Sequence, residues 1–432
     1  MVVNAESTGN VESLANAGRH RTGSGSDAGR GSGPGHGPGP GHGPGPGPGH
    51  GHGHGHGSGP GSGGGAGSGG GAGGAWDVAR RYQEFSWREA RGRSDAHEEL
   101  SARIGADAEL CDLLSGSLPA GDKQQPNLLL AAVRYLDGPH AELGPRGESA
   151  YGRWREWTIR HWDEVRAVIM QRATRTDEPG RCAALLPLLA RLPQPLALLE
   201  VGASAGLCLH PDRYRYAYED AYGNEAAYGD ESAYGSDGSY GREVGAPGSP
   251  VVLGCRTDWA AGDLPGRLPE VVWRAGIDLD PLDPVGDPED LRWLRALVWP
   301  GEEERAARLS AAVDAVRAVP RPRIVRGDLI GELPALAAEA PPEATLVIFH
   351  SAVLTSLPPA RREEFAHLVR ALLDGRAGGG HWIANEHHSA LPWITAPEPR
   401  PAHPGDPLQL TLALDGRPVA RTGPHGQTLH RL

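Results

Sequence analysis

Twelve residues, Leu-Ala-Leu-Leu-Glu-Val-Gly-Ala-Ser-Ala-Gly-Leu at 196–207, constrain this chain more than any other segment. A short, unbroken apolar run suits a strand buried on both faces, as strands of a parallel sheet are. The run ends in Glu200 and turns through Gly202 and Gly206. Glycine reaches positive φ without a Cβ penalty and lets the backbone come close to a ligand. In a doubly wound sheet, such a turn lies at the carboxyl edge of the strands, where nucleotide cofactors bind.

The rest of the chain is organised around that strand. From Trp76 to about Leu192 the apolar spacing is helical, in Trp76–Arg91, Asn127–Leu136, Trp154–Met170 and Arg181–Leu192, with no strong strand before residue 196. After it, strand and helix patterns alternate. Strands are expected at Val251–Cys255, Val271–Ile277, Arg323–Val325, Thr345–Phe349 and His381–Ala384. Helices are expected at Pro288–Trp299, Glu302–Ala318 and Pro359–Asp374, and Asp415-Gly416 joins a final hairpin, Leu408–Leu414 to Pro418–Arg421. The fold class that follows is α/β: a Rossmann-like sheet of the class I methyltransferase type (196–432) under a helical N-terminal cap (76–195).

Composition bears on what lies outside these elements. Glycine (64 in all) is concentrated in residues 1–75, a polar and then Gly/Pro/His-rich tail that is expected to be disordered because it has little apolar surface to bury. Its histidines (His36, His42, His50, His52, His54 and His56) read more simply as a low-complexity expansion than as a metal site. A second low-complexity stretch, at 218–248, carries an Ala-Tyr-Gly six-residue repeat and a local net charge of −6, half of the chain's −12. It reads as an insert in the C-terminal domain. The net charge of −12 argues against nucleic acid as a partner. Four cysteines without metal-ligand spacing, no secretory leader pattern and no membrane-length apolar run lead to the expectation of a cytoplasmic protein with no metal and no membrane contact.

The chemistry-bearing residues fall at the ends of the expected strands. The turn Glu200-Val-Gly202-Ala-Ser204-Ala-Gly206 fits the acidic-x-Gly-x-x-x-Gly form found in methyltransferases that use S-adenosylmethionine. Asp278, ending the next core strand, is placed to bind ribose hydroxyls, and Asp328, after a further strand, to accept the adenine amino group. Glu200, Gly202, Ser204, Gly206, Asp278 and Asp328 are therefore the expected cofactor residues. His350 is the candidate general base, since imidazole titrates near neutrality. Glu178, Arg181, His350, Ser351 and Glu386 are expected to line the pocket of a small-molecule substrate whose identity the sequence does not reveal.

Two alternatives use the same atoms. Gly202-Ala-Ser204-Ala-Gly206 is also Gly-x-Ser-x-Gly, the nucleophile elbow of serine hydrolases, with His425 and Asp328 or Asp415 as formal partners. A non-catalytic module binding a nucleotide cofactor on the same fold is the other.

Several segments together resemble an uncharacterised bacterial family known as domain of unknown function 2332. They are Gln125-Pro-Asn-Leu-Leu-Leu-Ala-Ala-Val133, Gly180-Arg-Cys-Ala-Ala-Leu-Leu-Pro187, Leu199-Glu-Val-Gly-Ala-Ser-Ala-Gly206, Asp212-Arg-Tyr-Arg-Tyr216, Trp293-Leu-Arg-Ala-Leu-Val-Trp-Pro300 and Phe349-His-Ser-Ala-Val-Leu354. The resemblance covers roughly residues 76–432 and implies a methyltransferase-like fold without an established reaction. Arg175-Thr-Asp177-Glu178 stands where the resemblance implies Gln-Thr-Asn-Glu, and Cys208 and Asp280 each stand in place of an Asn.

Overall fold

The computed structural model describes residues 71–139, 147–221, 241–245, 248–395 and 409–432. The His-rich tract, the core of the Tyr-Gly repeat and residues 396–408 lie outside them.

Seven helices precede the first strand among the described residues: α1 (Gly71–Phe85), α2 (Asp95–Ala106), α3 (Ala108–Ser117), α4 (Pro126–Tyr135), α5 (Gly147–Arg160), α6 (Trp162–Gln171) and α7 (Arg181–Leu189). A π-helical turn, Ser86–Ala90, continues α1. Local sequence sets several boundaries. Ser94 caps α2 by accepting from the amide of His97, and Asp107 caps α3 by accepting from Leu110. Pro126 opens α4, where its missing N–H is no loss. The single helix expected over Trp154–Met170 is two, broken at His161.

Strand β1 is Leu196–Val201, buried at every position. Strands β2 (Arg215–Asp220), β3 (Gly241–Val244) and β4 (Val252–Thr257) come next, followed by β5 (Val271–Asp278), α8 (Pro288–Leu297), α9 (Glu303–Arg317) and β6 (Arg323–Arg326). Then come α10 (Leu329–Ala338), β7 (Thr345–Ser351), α11 (Pro359–Asp374), β8 (Gly380–Glu386), β9 (Leu410–Leu414), β10 (Arg417–Thr422) and β11 (Thr428–His430). Together they form one mixed sheet of order β3-β2-β4-β11-β10-β9-β8-β7-β1-β5-β6.

The five strands β8-β7-β1-β5-β6 are mutually parallel. Strand β1 lies between β5 and β7, so the chain reverses its direction of travel across the sheet beside it. That is the switch point at which open α/β sheets leave a crevice. Strand β9 runs antiparallel to β8, and β10 to β9, through the expected Asp415-Gly416 turn.

The two faces of the sheet bury different layers. Alternate residues Leu196, Leu198, Val347, Phe349 and Ile383 pack with α1–α9, whereas Ala197, Leu199, Val201, Ile348 and Ala384 pack against α10 and α11. Helices α8 and α9 follow the glycine turn in sequence but share the core of the helices before it, through Trp293, Leu294, Leu309 and Val313. The described residues belong to one compact unit.

The structure differs from the Rossmann expectation immediately after β1. No α-helix follows the glycine turn: Leu207–Leu209 and Pro211–Arg213 are single 3-10 turns, and the chain then enters β2. Cys208 is thus in a 3-10 turn rather than the first turn of a helix. Strand β2 escaped the sequence reading although its signal was present, in the alternation of Tyr214, Tyr216 and Tyr218, all buried. Residues 218–220 and 241–244, at the two ends of the supposed insert, are paired strand. Helix α10 was missed because Pro334 interrupts it.

Candidate functional site

The glycine turn is built by its own backbone needs. Gly202 and Gly206 hold φ of 74° and 69°. A Cβ on Gly202 would stand 2.4 Å from the Val353 side chain, and one on Gly206 2.7 Å from Ile324. Ser204, with φ of 48°, also adopts the left-handed region, a conformation that must be held by its surroundings in a residue other than glycine. The holding contacts come from β5. The amides of Gly202 and Ala203 donate to Ile277 at 2.8 and 3.0 Å, and that of Ser204 to Asp278 Oδ2 at 2.9 Å.

Glu200, the penultimate residue of β1, lies beneath this turn. It is 7 % exposed, and its Oε2 has no hydrogen-bond partner. Burial pushes its carboxyl well above the usual range, with the neighbouring Cys208 and Asp177 acting in the same direction. A buried acid with an unmet oxygen, next to a glycine turn, is the arrangement that a ligand's donor would complete.

The irregular segment between α6 and α7 covers the turn. Arg175 places Nη1 2.6 Å from Asp278 Oδ1 and Nη2 3.3 Å from Asp280. Asp177 accepts from the Ser204 hydroxyl at 2.7 Å and the Ala205 amide at 2.8 Å. Burial raises the Asp177 carboxyl above its usual range against these bonds. Asp278 therefore accepts from two backbone amides, those of Ser204 and Asp280, as well as from the guanidinium.

Glu178 and Arg181 anchor the ends of this cover. Glu178, 1 % exposed, meets Arg308 at 2.9 Å and Arg305 at 3.2 Å, and accepts from the Gly180 amide. Arg181 donates to the carbonyls of Pro424 and Ser351, tying α7 to the end of β7 and to the turn before β11. Ser351 accepts from Asn385, which in turn accepts from Thr422, a buried polar chain across β7, β8 and β10.

His350 and Glu386 lie elsewhere. Both are wholly buried on the face that packs against α10 and α11, opposite the cap. Trp382 Nε1 donates to His350 Nε2 at 2.9 Å, which places the ring proton on Nδ1, directed at Glu386 Oε1 at 2.7 Å. With both ring nitrogens engaged, His350 joins strands rather than facing a ligand. Asp328 sits at the surface, capping α10 through the amides of Ile330 and Gly331 and pairing with Arg361. The structure thus gathers Glu200, Gly202, Ser204, Gly206, Asp278, Glu178, Arg181 and Ser351 on the cap side, and sets His350, Glu386 and Asp328 apart.

Residues 79–431 match the model of a family described as an uncharacterized protein conserved in bacteria, DUF2332. The chain belongs to this family. No curated protein and no solved structure matches it. In this DUF2332 chain, Arg175 and Asp177 are the residues whose place at the site the strand-end pattern could not announce. They precede β1, and only the fold brings them to it. No helix among the described residues is long and apolar enough to cross a membrane.

Proposed function

We propose that the carboxyl edge of β1 and β5 binds S-adenosylmethionine and that the protein is a methyltransferase of a Rossmann-like kind acting on a small molecule. The observation that carries this reading is the bond from the Ser204 amide to Asp278 Oδ2, 2.9 Å, which joins the glycine turn and the acid of the next core strand into one site at the switch point of the sheet. The orphaned Glu200 Oε2 supports it, since a cofactor ammonium would supply the missing donor.

On this reading, Glu200, Gly202, Ser204 and Gly206 hold the amino-acid end and Asp278 the ribose. The bound cofactor would supply an electrophilic methyl group. The protein's part is alignment of donor and acceptor and exclusion of water by the cap. Asp328 has less support as the adenine residue, because its carboxylate already serves two amides and Arg361. The hydrolase reading has less support as well: the Ser204 hydroxyl donates to Asp177, an acid, rather than to an imidazole base.

Calorimetric titration of S-adenosylmethionine and S-adenosylhomocysteine into the full chain tests this reading. Saturable binding that is lost in Asp278→Ala is the expected result. Folded protein that binds neither would remove the cofactor and with it the reaction.

A further inference from the structure

Residues 172–178, on the way from α6 to α7, form neither helix nor strand. Two of their side chains bring to the glycine turn the groups that the amino-acid end of a ligand would bring. The Asp177 carboxyl takes the Ala205 amide at 2.8 Å and the Ser204 hydroxyl at 2.7 Å. The Arg175 guanidinium takes Asp278 at 2.6 Å. An N–H and an O–H each have one proton to donate, so Asp177 already uses both donors. A ligand carboxylate arriving at the turn would find them taken.

The segment is fixed where it leaves α6. Lys123, the only lysine of the sequence, lies in the 3-10 turn before α4. Its ammonium donates to the carbonyls of Ile169, Met170 and Arg172 at 2.8, 3.1 and 2.8 Å. The last carbonyls of a helix have no partner within it, and a cation there also meets the negative end of the dipole. One side chain from outside the segment thus holds the end of α6 and the first residue of the segment together. Further along, Trp293 Nε1 donates to the Ala173 carbonyl at 3.2 Å, and Glu178 closes the far end on Arg305 and Arg308.

We propose that residues 172–178 are an autoinhibitory strap: in the unliganded chain Asp177 occupies the place of the cofactor's carboxylate, and Lys123 is the latch that sets how often the strap lifts. This inference rests on the cofactor reading above. It gives the turn two states, one filled by the chain itself and one open to a ligand. Apparent affinity is then the intrinsic affinity reduced by the open fraction. Removing a residue that merely supports a site weakens binding, whereas removing this latch strengthens it.

The test pairs amide hydrogen exchange with calorimetric titration of S-adenosylhomocysteine, on the full chain and on Lys123→Met, Lys123→Arg and Asp177→Ala. Exchange in peptides spanning 172–178 should rise roughly tenfold in Lys123→Met, with β1 and β5 as protected as in the parent. S-adenosylhomocysteine should bind roughly tenfold tighter to Lys123→Met and to Asp177→Ala. Lys123→Arg, which keeps a cationic donor at the carbonyls, should stay within about twofold of the parent in both readings. Asp177→Ala acts at the turn itself, so the competition remains testable if Lys123→Met does not fold. Unchanged exchange in Lys123→Met would overturn the latch. A parent that binds, with Asp177→Ala binding equally or more weakly, would overturn the strap and leave the cofactor reading standing. No binding by the parent or by either opened variant would remove the cofactor reading and the competition together.

Discussion

The guanidinium of Arg175 lies 2.6 Å from Asp278, a residue 103 positions later in the chain. The acid proposed to hold the cofactor ribose is therefore already engaged by a side chain from the segment that lies over the turn. A ligand reaching Asp278 must displace that pair, and its apparent affinity falls by the fraction of molecules in which the pair is open. Arg175→Gln should tighten S-adenosylhomocysteine binding by roughly tenfold, about 1.4 kcal/mol. Calorimetry on parent and variant measures this directly. Equal affinities in a parent that does bind would mean that the pair is no barrier.

Glu178 is expected to be among the costliest acids to remove. It is 1 % exposed and serves two arginines and an amide. Glu178→Ala would leave Arg305 and Arg308 short of a counter-charge, a loss of about 3–5 kcal/mol in unfolding free energy. Urea denaturation followed by circular dichroism reads the change, and a shift below about 1 kcal/mol would contradict the assignment.

His350 should behave as a packing residue. His350→Ala removes the partner of Glu386 and Trp382 in the core, and about 2–4 kcal/mol of stability should go with it. S-adenosylhomocysteine affinity should stay the same in the protein that remains folded. A variant of parental stability that fails to bind would instead return His350 to the site.

Gly180 and Gly426 meet backbone to backbone. A Cβ on Gly180 would stand 2.5 Å from the His425 carbonyl, and one on Gly426, at φ of 76°, 2.1 Å from the carbonyl of Gly180. Gly180→Ala should cost about 1–3 kcal/mol, since neither contact is with a flexible side chain that could yield. Thermal unfolding with no change of midpoint would show that the turn before β11 can move away.

Glu89 gives a pH signature. Burial raises its carboxyl from the ordinary 4.5 to about 7, so the folded chain holds this proton more tightly than the unfolded one. Its stabilising contribution is complete below about pH 4.5 and is lost as pH rises through 7. Between pH 5 and pH 8 the parent should lose stability relative to Glu89→Gln, which keeps the neutral shape at every pH. Parallel urea midpoints for the two proteins across that range would refute the shift.

What the sequence made legible was local. The run 196–201, the glycine turn and the Asp415-Gly416 hairpin are each written in consecutive residues, and the strand ends at Asp278, Ser351 and Glu386 follow from the apolar runs before them. Which face a strand-end residue meets is set by pairing register, which alternation within a wholly buried strand does not reveal. Strand alternation puts His350 and Ser351 on opposite faces, but the seven residues of β7 are all buried, so nothing in the sequence said which of the two turns toward the cap and which toward α10 and α11. The cover formed by Arg175 and Asp177 was hidden for a different reason. An irregular segment without periodicity gives no direction for its side chains, and its partners come some thirty to a hundred residues later.

Strand β11 contributes only three residues, Thr428–His430, yet it is the one element that pairs with both β10 and β4. The eleven-stranded sheet is thus two smaller sheets fastened along a seam of a few backbone bonds. Amide exchange should map that seam: protection that is high in β1 and β7, and a shared, lower opening free energy for β2, β3 and β4 once the β11 amides let go. The domain that carries the glycine turn would then keep its order while the outer strands come and go.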